Sequence, residues 1–293
     1  MFKQTKVWLV VTIALSLIAV ASSCGGGTPP PDNGNTSPTA GGEAYNSKGD
    51  EGTVTGTISY NGAAPAPKKI DSSADPVCAQ RNPNLTTEDT VVKDGKLANV
   101  FVYIKDGTIT GGKKIGDYTF AVPSAAVTLD QEGCHYKPHV LGLQANQKLR
   151  ITNSDPTQHN IHPTPKYNPE WNQTQPNGAA PIEKTFARPE VLIPVKCNQH
   201  PWMKAYVGVL KHSYHGVSAE DGTFTLKAPP GTYTLAAWHE KGGPNGTEKT
   251  MQITVPANGN VKADFTFGDA ATASHSGGLK MLPAIELPMI GRH

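Results

Sequence analysis

The chain has 293 residues, 37% of them hydrophobic and 17% charged, with 30 glycines and 25 prolines. Its 26 basic and 24 acidic residues give a formal net charge of +2, and residues 1–23 contribute Lys3 and Lys6 but no acid, so the remainder is balanced. With no strongly basic stretch, nucleic-acid binding, which rests on neutralising phosphates, has no support.

Lys3 and Lys6 precede an apolar run over residues 7–20, and Ala21-Ser22-Ser23-Cys24 follows. A charged start, an apolar middle and small residues at the end read as a secretory signal. The alternative is an uncleaved membrane anchor, although the uncharged stretch of 17 residues is at the short end for a transmembrane helix. Ala21-Ser22-Ser23-Cys24 resembles the bacterial lipoprotein signal, which implies that Cys24 becomes a lipidated N-terminus. Ordinary cleavage beside an incidental cysteine is the other reading. Gly25, rather than Asp, is compatible by the same resemblance with an outer-membrane destination. The expectation is a lipid anchor at the bacterial cell envelope, on the periplasmic face or at the outer membrane. Residues 24–51 are mostly Gly, Pro, Ser, Thr and Asn; such a composition buries too little apolar surface to order itself and reads as a flexible linker.

Strand texture begins at Gly52. Val54-Thr55-Gly56-Thr57-Ile58-Ser59-Tyr60 alternates with period two, and Asn61-Gly62 makes a turn. Asp94-Gly95 turns between two short strands, and Ala98-Asn99-Val100-Phe101-Val102-Tyr103-Ile104 is another strand. Further apolar runs lie at 126–129, 140–143, 148–152, 191–195 and 205–210. After Val217, strands are expected at 221–226, 229–238, 251–255 and 261–267. No window past residue 23 carries a long 3.6-residue period, so the chain reads as all-β, a sandwich or barrel. Residues 269–293 contain Pro283 and Pro288 and are expected to form an extended tail.

Four cysteines occur: Cys24, Cys78, Cys134 and Cys197. Cys24 is the lipid candidate and Cys197 a metal candidate. In an oxidising exported compartment Cys78 and Cys134 are expected as a disulfide; two isolated buried thiols are the alternative.

Cys197-Asn198-Gln199-His200-Pro201-Trp202-Met203 puts Cys, His and Met within seven residues, between the strands 191–195 and 205–210. His159 lies in Asn153-Ser154-Asp155-Pro156-Thr157-Gln158-His159-Asn160-Ile161-His162, straight after the strand 148–152. One thiolate, two imidazoles and a weak thioether suit both Cu(I) and Cu(II), and they are the ligand set of an electron-transfer copper centre. Each residue alone has a duller reading: a buried thiol, a surface or core histidine, a core methionine. His162 is read as a polar surface residue, His135 and His139 as structural, and Trp238-His239-Glu240-Lys241 as an exposed polar cluster.

The segments His159-Asn160-Ile161-His162 and Cys197-Asn198-Gln199-His200-Pro201-Trp202-Met203 resemble the cupredoxins, most closely the amicyanin-type blue copper proteins. The segment from Pro138 to Asn153 resembles the strand pair leading to the first histidine of that family. The likeness covers residues 98–212. It implies a Greek-key β-sandwich holding one type 1 copper, with His159, Cys197 and His200 as equatorial ligands and Met203 axial. It also implies that Asn160 holds the ligand loop through its backbone and shields the thiolate. The His200 edge would meet solvent within an apolar patch formed with Pro201 and Trp202. The segment 107–125 and an insertion at 163–181 have no counterpart in that pattern.

Gly52 to Gly62, Asp221-Gly222-Thr223-Phe224-Thr225-Leu226 and Pro230-Gly231-Thr232-Tyr233-Thr234-Leu235 resemble carboxypeptidase regulatory-like (transthyretin-like) sandwich domains. Two arrangements follow. Either 52–97 supplies strands to a small Ig/transthyretin-like sandwich completed by 213–268, with the copper-binding segment inserted, or the domains are consecutive.

The functional expectation is a blue copper electron-transfer protein with weak, transient redox protein partners. Copper storage or delivery at the cell surface uses the same ligands, and a glycan- or protein-binding sandwich module is a third reading. A copper oxidase or nitrite reductase commonly needs His beside the Cys, where Lys196 stands, and a two-copper CuA centre needs a second Cys in the loop. No Ser/His/Asp set, phosphate loop or carboxylate pair is identifiable, so no enzymatic activity and no small-molecule substrate are expected.

Overall fold

The computed structural model describes residues 42–268. The signal, Cys24, most of the linker and the tail 269–293 lie outside the described residues. The described chain is all-β, apart from the short helix Pro76–Arg81 and the 3₁₀ turn Ile115–Asp117. Successive side chains leave a strand on opposite faces, and the alternation read from sequence is the alternation of burial. Thr223–Ala228 and Phe265–Gly268 follow it residue by residue.

One sandwich is made of two sheets. In the first the order is His215–Val217, Phe101–Ile109, Gly231–His239, Thr247–Val255. In the second, Gly52–Asn61 pairs antiparallel with Thr223–Ala228 and Lys96–Leu97, and parallel with Asn260–Lys262 and Phe265–Gly268. Val54, Ile58, Val102, Ile104, Leu235 and Phe265 share its core. A second sandwich has a sheet ordered Ile182–Lys184, Leu149–Asn153, Val127–Glu132, His135–Lys137. Its partner sheet is ordered Gln173–Gln175, His159–Pro163, Glu190–Lys196, Lys204–Leu210, Val140–Gln144. Leu129, Leu149 and Ile151 meet Ile161, Ile193 and Val207 in the core between them.

The strand Phe101–Ile109, expected at the start of the copper-binding segment, instead pairs with Gly231–His239, from Phe101 opposite Trp238 to Ile109 opposite Gly231. Strands on either side of the segment 110–214 therefore join in one sheet, and the second sandwich is built between them. Where the two sandwiches meet, a Cβ at Gly208 would lie 2.5 Å from the Phe101 ring, and one at Gly142 would lie 2.6 Å from it. Both glycines allow an approach that any side chain would block.

Two expectations change at the near end. Residues 43–45 fall in the expected linker, yet Glu43–Ala44 pairs with Tyr118–Thr119. Tyr45 packs its ring 5.0 Å from Phe120 and 5.6 Å from Tyr118. An aromatic residue at the end of a polar tract has found apolar surface. Between Asn61 and Val92 the chain leaves the first sandwich. Asp75 caps the helix Pro76–Arg81 by accepting from the amides of Val77 (2.8 Å) and Cys78 (3.2 Å). A disulfide joins Cys78 to Cys134 and pins this excursion against the second sandwich.

Candidate metal centre

The hairpin that carries three of the expected ligands closes where Lys196 pairs with Lys204. Cys197 and Met203 then face each other at its base, the Cys197 amide donating to the Met203 carbonyl at 3.3 Å and the Met203 amide to the His200 carbonyl at 2.9 Å. His162 pairs with Lys196 across the neighbouring strand, which brings His159, at the start of His159–Pro163, to the same end of the sandwich. His159 and Met203 have no exposure, Cys197 has 2% and His200 4%.

His159, Cys197 and His200 present donor atoms all within 4.8 Å of one another. The two Nδ1 atoms are 2.9 Å apart, and Cys197 Sγ is 3.7 Å from His200 Nδ1. The outer nitrogens are held by carboxylates: His159 Nε2 lies 2.9 Å from Asp155 Oδ2, and His200 Nε2 lies 2.9 Å from Asp75 Oδ2. Because a carboxylate only accepts, each Nε2 carries the hydrogen, and each Nδ1 of a neutral ring turns its lone pair inward. Two lone pairs and a sulfur converging in a buried site repel unless a proton or cation lies among them. This donor set fits a copper ion: soft thiolate, two imidazoles, and the Met203 thioether buried in the same core cluster as Cys197.

Electrostatics point the same way. Burial pushes the Cys197 thiol up, but hydrogen bonds with His159 and His200 and with backbone at Asn160 and His200 outweigh it and bring its pKa down to about 6. Burial draws His159 down, yet Asp155 and Cys197 raise it to about 9. Metal-free, the site thus holds a thiolate beside an imidazolium, and a metal would replace the proton. Asp155 is wholly buried and accepts from the amides of Gly133 and Cys134, both at 2.8 Å. Those hydrogen bonds and the one to His159 overcome the burial penalty and keep its pKa below the usual carboxylate range.

Two expectations are corrected and a third is extended. The His200 edge does not meet solvent: Asp75 and the helix it caps lie over it, and Cys78 Sγ is 3.9 Å from His200 Nε2. Of the expected patch, Pro201 is exposed, while Trp202 is half-buried. The Trp202 ring is tilted against His200 at 5.1 Å, and its indole N–H donates to the Cys134 carbonyl at 3.1 Å. Asn160 holds the ligand loop through its side chain as well as through the backbone hydrogen bond it makes to Cys197. Its Oδ1 accepts from the Asn198 amide at 2.6 Å and lies 3.2 Å from Cys197 Sγ. The insertion supplies support for this, since Asn172 Oδ1 accepts from Asn160 Nδ2 at 2.5 Å. His162 is half-buried between Asn198 and Glu170 (2.9 and 2.6 Å) and stays out of the cluster.

Asp75 and Asp155, which hold the outer nitrogens of the two histidines, are not singled out by the sequence. Asp75-Pro76 is a helix-start signal, so the helix was readable, but its landing on a histidine 125 residues away was not. Asp155 stands four residues before His159, in the same polar loop.

No protein-family model matches the chain, and no curated protein sequence does. Among solved structures the chain is similar to a Cu-containing nitrite reductase from Thermus scotoductus SA-01, at 19% identity and a TM-score of 0.28, over 36% of this chain and 26% of that one. It is also similar to a purple cupredoxin from Nitrosopumilus maritimus, at 20% identity and a TM-score of 0.25, over 28% of this chain and 98% of that one. A reduced Cu(I) form of an amicyanin mutant aligns at 21% identity and a TM-score of 0.26, over 30% of this chain and 85% of that one. The chain thus spans about a quarter of the nitrite reductase. At these scores, fold and site rest on the strand pairing and side-chain geometry described above.

Proposed function

We propose that this chain is a single-copper electron carrier of the cell envelope, lipid-anchored through Cys24. The observation that supports it is the convergence of His159 Nδ1, His200 Nδ1 and Cys197 Sγ in a buried pocket, with each outer nitrogen held by a carboxylate. Copper bound there would supply a one-electron couple. Asp155 and Asp75 orient the imidazoles, Asn160 steadies the thiolate, and the surrounding core excludes water, so little rearranges between oxidation states. Trp202, half-buried against His200, is the ring through which the centre reaches toward solvent. The near-neutral charge of the chain favours weak apolar docking of redox protein partners over strong electrostatic steering. Cover over His200 argues against rapid metal hand-off, and therefore against delivery.

The test adds Cu(II) to the soluble form lacking residues 1–24 and records visible absorption and EPR. An intense thiolate-to-copper band that disappears in Cys197→Ser is expected. No band, or one that survives Cys197→Ser, overturns the proposal. Copper lost to a chelator within seconds would favour delivery over electron transfer.

A further inference from the structure

A second group of metal-ligating side chains lies where the two sandwiches meet. His135 begins the strand His135–Lys137, and His139 immediately precedes Val140–Gln144. Glu88 comes from the loop before Val92–Lys93, and Glu240 follows Gly231–His239. The expected exposed cluster at 238–241 is in fact largely interior, since Trp238 is 8% and His239 4% exposed, and the Glu240 side chain 8%. His135 and His139 are 9% and 8% exposed.

The hydrogen bonding of His139 is incomplete in an informative way. Its Nε2 lies 2.5 Å from Glu240 Oε1, and the other Glu240 oxygen accepts from the Tyr206 hydroxyl at 3.0 Å. That fixes the hydrogen on Nε2 and leaves a lone pair on Nδ1. Nδ1 is buried and has no hydrogen-bond partner. It looks toward Glu88 Oε2 at 3.8 Å, and the same oxygen is 3.0 Å from His135 Nδ1. These residues line a cavity of about 90 Å³, and an orphaned buried acceptor facing a carboxylate calls for a cation between them.

We propose that His139, His135 and the Glu88 carboxylate form a second divalent-cation site, with Glu240 as the residue that positions His139. Imidazole and carboxylate donors select borderline ions such as Zn²⁺ or Cu²⁺. A histidine whose far N–H is held by a carboxylate is the usual support for such a ligand. Three protein donors leave one coordination position for water or a partner's group. Two ligands come from the second sandwich and Glu88 from the excursion before Val92–Lys93, while Glu240 follows a strand of the first sandwich, so a bound ion ties these segments together and stabilises the chain by mass action. None of the four residues belongs to the Cys197 centre, and the site stands or falls without it.

The detergent-solubilised full chain carrying Cys197→Ser is titrated with Zn(II) by calorimetry, and its melting temperature is followed with and without zinc. One zinc equivalent is expected that weakens about ten- to hundredfold when His139→Ala or Glu88→Gln is added, with the zinc-dependent rise in melting temperature lost in step. Glu88→Gln changes a half-buried side chain and serves if His139→Ala fails to fold. Cu(II) at this site is expected to give an EPR signal of nitrogen and oxygen ligation without a thiolate band. Absence of any zinc equivalent, or an equivalent unchanged by the substitutions that fold, overturns the proposal and leaves His139 as a structural residue between two carboxylates.

Discussion

Replacing Asp75 by alanine removes three contacts at once. The carboxylate caps the helix Pro76–Arg81, accepts from the Thr157 hydroxyl at 2.9 Å, and holds His200 Nε2 at 2.9 Å. Burial works against its charge, but hydrogen bonds with Cys78, Thr157, His200 and Val77 keep its pKa below the ordinary value, so it is ionised at neutral pH. Loss of the cap costs about 1 kcal/mol of folding stability. Loss of the group that orients a ligating imidazole costs about ten- to hundredfold in metal affinity, about 1.4 to 2.8 kcal/mol. Asp75→Asn separates the two effects, because asparagine caps as well as aspartate but carries no charge beside the imidazole. Urea unfolding of the metal-free chain reads the first quantity, and competition with a chelator for Cu(I) and Cu(II) reads the second. Asp75→Ala is expected to lower both, whereas Asp75→Asn keeps stability, weakens metal binding and raises the reduction potential. Copper affinity unchanged in Asp75→Ala, with stability reduced, would refute the orienting role and leave Asp75 as a helix cap only.

Met203→Leu is expected to retain copper with a higher reduction potential in voltammetry, since a weak thioether is exchanged for a hydrocarbon of similar volume; loss of all copper would point to another geometry. Burial, with a smaller push from His215, draws His212 down to about 4. Its folded pKa lies below the unfolded value of about 6.5, so the neutral ring contributes fully above that pH. The contribution, on the order of 3 kcal/mol, is lost as the pH falls through 4. The urea midpoint should drop between pH 7 and 4, and His212→Gln should flatten that drop; an unchanged slope refutes the assignment. Gly208→Ala places a Cβ 2.5 Å from the Phe101 ring and should cost about 1 to 3 kcal/mol in a thermal melt. Phe101→Leu should recover part of the loss, and a melt unchanged by Gly208→Ala would show that the sandwiches do not pack there.

The candidate centre was legible because three of its donors sit on one short loop. Cys197, His200 and Met203 are close in any hairpin closed by the flanking strands, and His159 follows a strand end by a length that suits a neighbour. Asn160 was also within reach, although its side chain shares the holding with its backbone. By contrast, His135 and His139 taken singly looked structural, and Trp238-His239-Glu240-Lys241 looked like a polar strand end. Nothing in either segment announces that Glu240 lies 2.5 Å from His139, 101 residues away.

By itself the sequence determined the all-β class, the turn positions and the soft donor set, because period-two alternation, Asp-Gly turns and ligand chemistry are local properties of the chain. Tertiary structure alone decided that Phe101–Ile109 belongs with Gly231–His239, that the helix after Asp75 covers His200, and that Glu88 and Glu240 meet two histidines. The physical reason is that a strand carries the same alternation in whichever sheet it joins. Its partner is settled by the burial of both faces at once, over separations that local pattern does not encode.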